Sequence, residues 1–122
     1  MKTKVLILGA SSFAGSSFIN FLIRKNKYKI LGTYNSKKNL KKLIFKNTLN
    51  KFNLIKLDLN KEKNSLLKIV KSFKPKYIFD FASVCMVNES WDTPNYYFRV
   101  NLNSKINFIQ NLHNLSFIKK FI

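Results

Sequence analysis

Short apolar runs alternate with amphipathic segments along the whole chain, and this alternation limits the possible folds more than any other feature. Apolar runs bounded by turn residues indicate strands, while apolar residues three and four positions apart indicate helices. The predicted strands are residues 4–8, 28–34, 52–57, 77–82 and 119–122. The predicted helices are residues 15–25, 65–73 and 95–112, with a further short helix over residues 40–45. Strands that alternate with helices imply right-handed crossovers and a parallel sheet covered on both faces.

This order predicts a doubly wound α/β domain of Rossmann type with about five parallel strands. A chain of 122 residues is long enough for one domain, and no repeat or linker divides it. The sequence ends inside the fifth predicted strand, so we expect a fold that is truncated at its C-terminal side. In the predicted long helix, one face carries large apolar residues: Phe98, Leu102, Ile106, Ile109 and Leu112.

Composition limits the other classes of function. No run approaches the about 18 apolar residues of a membrane span, and a single cysteine excludes an internal disulfide framework and a multi-cysteine zinc site. We expect a soluble, cytoplasmic protein without a metal site. The net charge of +18 predicts attraction to polyanions, but the lysines are scattered and only two of the 23 basic residues are arginines. A specific nucleic-acid partner is therefore not expected, and neither is a membrane partner.

The first predicted strand runs into a turn of small residues that has the composition of a phosphate-binding turn. Gly9 permits a tight turn, Ser12 is small enough for a pyrophosphate to approach the backbone, and Gly15 permits close helix packing. Backbone N–H groups at the start of the following helix would hold the anion. The alternative is a plain strand–helix turn without a ligand. The residues predicted to contact a cofactor here are Gly9, Ser11, Ser12, Phe13, Ala14 and Gly15.

The second predicted strand ends in a polar, basic stretch without an acidic residue. At this position an acid would bind the ribose 2′-hydroxyl of NAD, whereas basic groups accommodate the 2′-phosphate of NADP. Asn35, Ser36 and Lys37, followed by Lys38, therefore favour NADP slightly over NAD. The alternative is a solvated basic turn in a chain that is basic throughout.

Two further candidates follow the third and fourth strands. Asp58, followed by Leu59, is placed to accept a hydrogen bond from an adenine amino group, although turn aspartates are common. Phe81, Ala82 and Ser83 lie where small residues at a strand's carboxyl end admit a ligand in open α/β sheets. The alternative for this segment is simple core packing by Ala82.

Taken together, these motifs resemble the N-terminal, cofactor-binding half of the extended short-chain dehydrogenases/reductases, over essentially all 122 residues. The turn matches their Gly-x-x-Gly-x-x-Gly except that Ser12 replaces the middle glycine. Within that superfamily the chain is similar to the NAD(P)-dependent epimerases/dehydratases of nucleotide sugars. The segment from Met86 to Trp91, together with Pro94 and Asn101, looks most like sugar 4,6-dehydratases of the dTDP-glucose and GDP-mannose type.

The resemblance implies a dinucleotide cofactor, a nucleotide sugar as the partner of the complete enzyme, and homo-oligomers in complete family members. It assigns cofactor contacts to Asp58, Leu59, the 81–83 segment and Asn101, a helix residue that structures the site. It also places three residues on the substrate side: Met86, Val87 and Ser90. Where the family has Gly-Thr after the helix asparagine, this chain has Ser104-Lys105.

No catalytic residue is predicted within the chain. The resemblance places the catalytic Ser/Thr just after the fifth strand and the Tyr-x-x-x-Lys pair further on. The Tyr34–Lys38 string has that spacing, but it follows the second strand at the adenosine end, away from the nicotinamide. We therefore expect the chain to be the NAD(P)-binding portion of a nucleotide-sugar dehydratase or epimerase and to be inactive alone. The alternatives are a non-catalytic NAD(P)-binding regulatory or interaction module and a nucleic-acid binder.

Overall fold

The computed structural model describes residues 1–36, 40 and 50–122. Within these residues, the strands are β1 (Thr3–Leu8), β2 (Tyr28–Tyr34), β3 (Asn53–Lys56), β4 (Tyr77–Asp80) and β5 (Lys120–Phe121). The helices are α1 (Phe13–Lys25), α2 (Lys63–Phe73), α3 (Val87–Asp92), α4 (Pro94–Phe98) and α5 (Ser104–Leu112), with a π-helical turn over Arg99–Asn103. The short helix predicted over residues 40–45 falls mostly outside the described residues.

All described strands form one parallel sheet in the order β3-β2-β1-β4-β5. The central strand β1 pairs with β2 on one side and with β4 on the other. In this register Val5 is the neighbour of Ile30 in β2 and of Tyr77 in β4. The predicted α/β fold of Rossmann type is therefore confirmed. Because the strands are parallel, the carboxyl ends of β1 to β4 lie at one edge of the sheet, where such folds bind ligands.

The central strand β1 is buried on both faces from Val5 to Leu8, as its uninterrupted apolar run predicts. Val5 and Ile7 point to the face covered by α1, while Leu6 and Leu8 point to the face covered by α2 and α5. The first core contains Val5, Ile7, Ala10, Ile19, Leu22, Ile30 and Phe52. The second contains Leu6, Leu8, Leu31, Leu57, Leu66, Val70, Ile78, Phe108 and Leu112.

Local side-chain hydrogen bonds explain where several elements begin and end. Ser12 caps α1, since its Oγ accepts the Gly15 N–H at 3.0 Å. The strand predicted over residues 77–82 ends earlier, because Asp80 Oδ1 accepts the Ala82 N–H at 2.9 Å and turns the chain out of the sheet. Lys74 ends α2 in the left-handed conformation, immediately before Pro75.

The helix predicted over residues 95–112 is not continuous, because the π-helical turn separates α4 from α5. A π turn contains one residue more than an α turn and so rotates the helix face that follows it. The apolar face expected from the sequence is largely exposed: Phe98 is 62% exposed, and Leu102, Ile106 and Ile109 are each 46% exposed. Leu112, the last residue of the predicted face, is buried as expected, and Ser104 and Phe108, which lie outside that face, are buried as well. No described helix combines the length and apolar character that crossing a bilayer requires.

Candidate functional site

A cavity of about 260 Å³ lies at the carboxyl edge of the sheet. Its walls come from the segments that follow β1, β2, β3 and β4 and from one side of the helical stretch 94–112. The lining residues are Gly9, Ser11, Ser12, Thr33, Tyr34, Asn35, Leu57, Asp58, Leu59, Asn60, Phe81, Ala82, Ser83, Val84, Tyr96, Val100, Ser104 and Lys105. The topology thus brings together residues that are far apart in the sequence.

The turn between β1 and α1 is compact, and two of its residues must be glycine. Gly9 has a φ of +72°, and a Cβ placed on it would lie 2.6 Å from the backbone N of Ala82. A Cβ on Gly15 would overlap the carbonyl oxygen of Gly9. The Ser12 N–H also donates to that oxygen at 3.0 Å. The turn therefore brings the start of α1 directly against the end of β1 and leaves the backbone of Ser11 and Ser12 beside the cavity.

Three predicted residues of this turn, Phe13, Ala14 and Gly15, do not line the cavity. Phe13 is 81% exposed and Ala14 is also exposed. Both belong to the first turn of α1. Any contact that they make with an anion would therefore come from their backbone N–H groups, as at other helix N-termini.

At the end of β2, Asn35 lines the cavity beside Thr33 and Tyr34, whereas Ser36 is not among the lining residues. Lys37 and Lys38, the basic residues that bear on the choice of NADP, lie outside the described residues. Tyr34 lies at the end of β2, where the sequence analysis located it.

After β3, Asp58 both lines the cavity and organises a turn. Its Oδ1 accepts the Asn60 N–H at 3.0 Å, its own N–H donates to Glu62 Oε2 at 2.7 Å, and its Oδ2 lies 3.9 Å from Lys61 Nζ. Leu59 lines the same wall. In this wall, the side-chain Oδ1 of Asn60 is buried and has no hydrogen-bond partner among the described residues. Buried acceptors of this kind are generally satisfied by an ordered water or by another donor.

The segment after β4 forms the opposite wall, with Phe81, Ala82 and Ser83 all lining the cavity as predicted for a ligand-binding strand end. The predicted substrate-side residues lie further along. Met86 is 60% exposed and Val87 is 70% exposed. The Ser90 hydroxyl donates to the Val87 carbonyl at 2.6 Å. These three residues belong to the start of α3 and do not line the cavity.

Asn101 lies in the π-helical turn and holds the backbone of the 81–86 segment. Its Oδ1 accepts the Val84 N–H at 2.9 Å, and its Nδ2 donates to the Val84 carbonyl at 2.8 Å. Four residues earlier, the Tyr97 hydroxyl donates to the Met86 carbonyl at 2.7 Å. Asn101 is not a lining residue, so the structure gives it a role in shaping the wall.

The spacing of these contacts follows from the geometry of the two elements. Four helical residues rise about 6 Å, and two extended residues span about 6.6 Å. Side chains one helical turn apart therefore meet alternate residues of an extended segment. Partial burial, followed by the negative charge of Glu89, raises the pKa of the Tyr97 phenol above its usual range. The phenol thus keeps the proton that it donates to Met86.

Several lining residues were absent from the sequence-based prediction, including Asn60, Tyr96, Val100, Ser104 and Lys105. Lys105 forms an ion pair with Asp80, with 2.7 Å between Nζ and Oδ2, and the two side chains are only 16% and 11% exposed. Two signals for this pair were present in the sequence. Ser104-Lys105 departs from the Gly-Thr that the resemblance implies, and Lys105 lies one helical turn after Asn101.

A parallel sheet in this order, with a glycine turn after β1 and a cavity at its carboxyl edge, defines a Rossmann-type α/β protein. The family model described as GDP-mannose 4,6-dehydratase matches residues 6–122. The chain belongs to this family, within the nucleotide-sugar epimerases and dehydratases of the extended short-chain dehydrogenases/reductases.

Among known proteins, the chain is 30% identical over 116 residues to a UDP-glucose 4-epimerase of Mycoplasma genitalium, covering 93% of this chain and 33% of that protein. A solved UDP-glucose 4-epimerase from Thermotoga maritima, with UDP-glucose, superposes with a TM-score of 0.80 at 20% identity, covering 98% of this chain and 36% of that one. A Thermus thermophilus UDP-glucose 4-epimerase in complex with NAD gives a TM-score of 0.76 at 22% identity, with the same coverage of 98% and 36%. The chain thus spans about a third of the length of these relatives.

Proposed function

We propose that this chain binds a nicotinamide dinucleotide in the cavity and is the cofactor-binding portion of a nucleotide-sugar dehydratase or epimerase. The observation that carries the proposal is the turn at residues 9–15. Gly9 at a φ of +72° packs against Ala82, and α1 begins beside the cavity. A helix N-terminus behind such a turn is suited to a pyrophosphate, because it combines free N–H donors with the positive end of the helix dipole.

The residues around the cavity fit the successive parts of such a cofactor. The turn would hold the pyrophosphate, the end of β2 the adenosine ribose, and the segment after β3 the adenine. Asp58 and Leu59 line this part of the cavity, which supports an adenine there because the Asp58 carboxylate can accept a hydrogen bond from the exocyclic amine. The wall after β4 would face the nicotinamide ribose. The proposed contacts are Gly9, Ser11, Ser12, Phe13, Ala14, Gly15, Asn35, Ser36, Lys37, Asp58, Leu59, Phe81, Ala82 and Ser83, with Asn101 shaping the wall.

The chemistry that the dinucleotide supplies when bound is acceptance of a hydride from the sugar and its later return. The role of this chain is to bind and orient the cofactor, with Met86, Val87 and Ser90 toward the substrate. A 4,6-dehydratase reaction is supported by the matching family model and by the residues between Met86 and Asn101. A 4-epimerase reaction is the second candidate, supported by the named activity of the Mycoplasma relative.

Calorimetric titration with NAD and NADP tests the binding proposal. We expect saturable 1:1 binding that is lost in Gly15→Leu, because the side chain would push α1 off the end of β1. Asn20→Ala, in the same helix but away from the cavity, is the matched control and should bind as the wild type does. Unchanged affinity in a folded Gly15→Leu variant would contradict the proposed pyrophosphate site.

We propose that NADP is bound somewhat more tightly than NAD, through Lys37 or Lys38. The sequence supports this because no acid follows Tyr34 to receive the 2′-hydroxyl of NAD. Replacing both lysines with glutamine should weaken NADP binding and leave NAD binding nearly unchanged, and the same calorimeter measures both. Equal affinities for the two cofactors in the wild type would identify these lysines as solvated charges.

We also expect residues 1–122 alone to turn over no nucleotide sugar. The only Tyr-x-x-x-Lys string in the sequence, from Tyr34 to Lys38, follows β2, and the proposed site puts the adenosine ribose there. Incubating the purified chain with NAD and dTDP-glucose, GDP-mannose or UDP-glucose should yield neither a 4-keto sugar nor an epimer. Turnover free of contaminating enzyme would overturn this expectation. A non-catalytic NAD(P)-binding module would also bind NAD without turnover. Adding a separate polypeptide that carries the catalytic residues distinguishes the two functions, because only the portion of an enzyme would then show turnover.

A further inference from the structure

The buried Asp80–Lys105 pair lies at the cavity wall, where Lys105 is a lining residue and Asp80 is not. Lys105 Nζ lies 2.7 Å from Asp80 Oδ2, 2.8 Å from Asp80 Oδ1 and 2.5 Å from the carbonyl oxygen of Ala82. Two of the three N–H donors of the ammonium are used in hydrogen bonds to Asp80 Oδ1 and to the Ala82 carbonyl oxygen. Lys105 therefore lines the cavity while its ammonium is paired with the Asp80 carboxylate.

The pair holds the backbone on both sides of Ala82. Lys105 binds the Ala82 carbonyl, and Asp80 Oδ1 accepts the Ala82 N–H at 2.9 Å. The same Ala82 N would lie 2.6 Å from a Cβ placed on Gly9, so these two backbones are in direct contact. A chain of contacts thus runs from α5 through Lys105, Asp80 and Ala82 to the turn that carries the proposed pyrophosphate site.

Lys105 also completes a regular series of contacts. Tyr97, Asn101 and Lys105 follow one another at intervals of one helical turn and hold alternate residues of the segment after β4. The resemblance stated above implies a threonine at the last of these positions. Its short side chain lacks an ammonium group and would not reach the Asp80 carboxylate from α5. The pair is therefore a feature of this chain's own sequence.

We propose that Lys105, through Asp80, is a positioning residue for dinucleotide binding: it holds Ala82 against Gly9 and so sets the width of the cleft between the turn and the opposite wall. This inference rests on the proposed function. Binding sites lose affinity steeply when such supports shift by fractions of an ångström. The pair would therefore contribute to affinity by fixing the position of the wall.

A charge-neutral double variant, Asp80→Asn with Lys105→Met, tests the proposal. It removes one negative and one positive charge, so the long-range attraction of the chain for an anionic cofactor is unchanged, and no buried charge is left without a partner. The asparagine retains an acceptor for the Ala82 N–H, while the methionine that replaces Lys105 offers no donor to the Ala82 carbonyl. The matched control is Asp92→Asn with Lys68→Met, which removes an exposed charge of each sign.

We expect the double variant to melt close to the wild-type temperature, to bind NAD with a Kd raised on the order of tenfold, and to show shifted ¹⁵N–¹H signals for Gly9 and Ala82 in the absence of ligand. The control should match the wild type in all three measurements. Unchanged Kd and unchanged Gly9 signals would overturn the proposal. A lowered melting temperature with an unmoved Gly9 signal would also overturn it, because the pair would then serve stability alone.

Lys105→Arg provides a second, independent variant, since a guanidinium retains donors for both Asp80 and the Ala82 carbonyl. We expect it to bind NAD within about threefold of the wild type, and a loss as large as that of the double variant would overturn the proposal. If the wild type binds neither NAD nor NADP, the proposed function fails. The Gly9 and Ala82 signals would still decide whether the pair positions the wall.

Discussion

The turn at residues 9–15 and the helical stretch 87–112 form two sides of the same site, but they are held in place in different ways. In the turn, Gly9, Ser12 and Gly15 contact one another within seven residues of chain, mostly through backbone atoms. The helical stretch is attached by side chains that reach 17 to 25 residues back in the sequence, from Asn101 to Val84 and from Lys105 to Asp80.

The two regions also differ in how much apolar surface they bury. Residues 5–8 and Ala10, which lead into and through the turn, are almost completely buried. Along the helical stretch, Trp91 is 82% exposed and the face from Phe98 to Ile109 remains open. A backbone-built turn thus specifies its own position, whereas the helical stretch is held by Phe108 and Leu112 in the core together with a few polar side-chain contacts, and it leaves apolar surface exposed.

One of the two largest expected effects comes from breaking the turn by Gly9→Ala. The left-handed φ costs an L-residue about 1–2 kcal/mol, and the overlap with the Ala82 backbone adds about 1–3 kcal/mol. We expect a loss of about 2–5 kcal/mol in the free energy of unfolding, measured by urea denaturation. Gly32→Ala is the comparison: a Cβ there would also lie too close to neighbouring atoms, at 2.8 Å from the Ala10 side chain and 2.9 Å from the Leu54 side chain, but at an ordinary φ. A Gly9→Ala variant no less stable than Gly32→Ala would show that the turn is adaptable.

A second prediction tests which face of α5 the fold uses. Phe108 is 8% exposed and packs edge-on against Phe121, with 5.9 Å between the ring centres, whereas the adjacent Ile109 is 46% exposed. Phe108→Ala should therefore cost about 3–5 kcal/mol, while Ile109→Ala should stay within about 1 kcal/mol of the wild type. Thermal and urea unfolding measure both. Equal losses would mean that the face chosen from the sequence is buried after all.

The strands were predictable because they follow from short-range rules. The apolar run of β1 and its glycine ending indicated a strand buried on both faces, and β2 has the predicted bounds. The helical stretch was harder, because its sequence carries two apolar stripes. Periodicity identified the one with Ile106 and Ile109, but packing against β5 selects the one with Phe108. The π-helical turn that shifts the phase has no signature of its own in the sequence.

The site likewise contains residues that the sequence predicted and residues that it did not. Strand ends brought Gly9, Asp58 and Ala82 to one cavity, as the topology of a parallel sheet requires. The ion pair between Asp80 and Lys105 joins residues 25 apart, and spacing rules do not reach across such a distance without knowledge of the packing. The buried Asn60 Oδ1, which has no hydrogen-bond partner within residues 1–36, 40 and 50–122, could not be predicted either, since its burial depends on the turn around it.

The smallest expected effect concerns Tyr97, which links the helical stretch to Met86. Its raised pKa means that the folded state keeps the phenolic proton at a pH where the unfolded chain has lost it. In the window from about pH 10 up to that raised pKa, the unfolded state binds fewer protons, so stability falls as pH rises. Below the window the contribution is fully present.

Absorbance at 295 nm should show one late-titrating tyrosine, which Tyr97→Phe removes. Glu89→Gln should shift its titration toward lower pH, because the carboxylate disfavours the phenolate. Late titration that persists in Tyr97→Phe would assign it to another tyrosine and weaken the link to Met86.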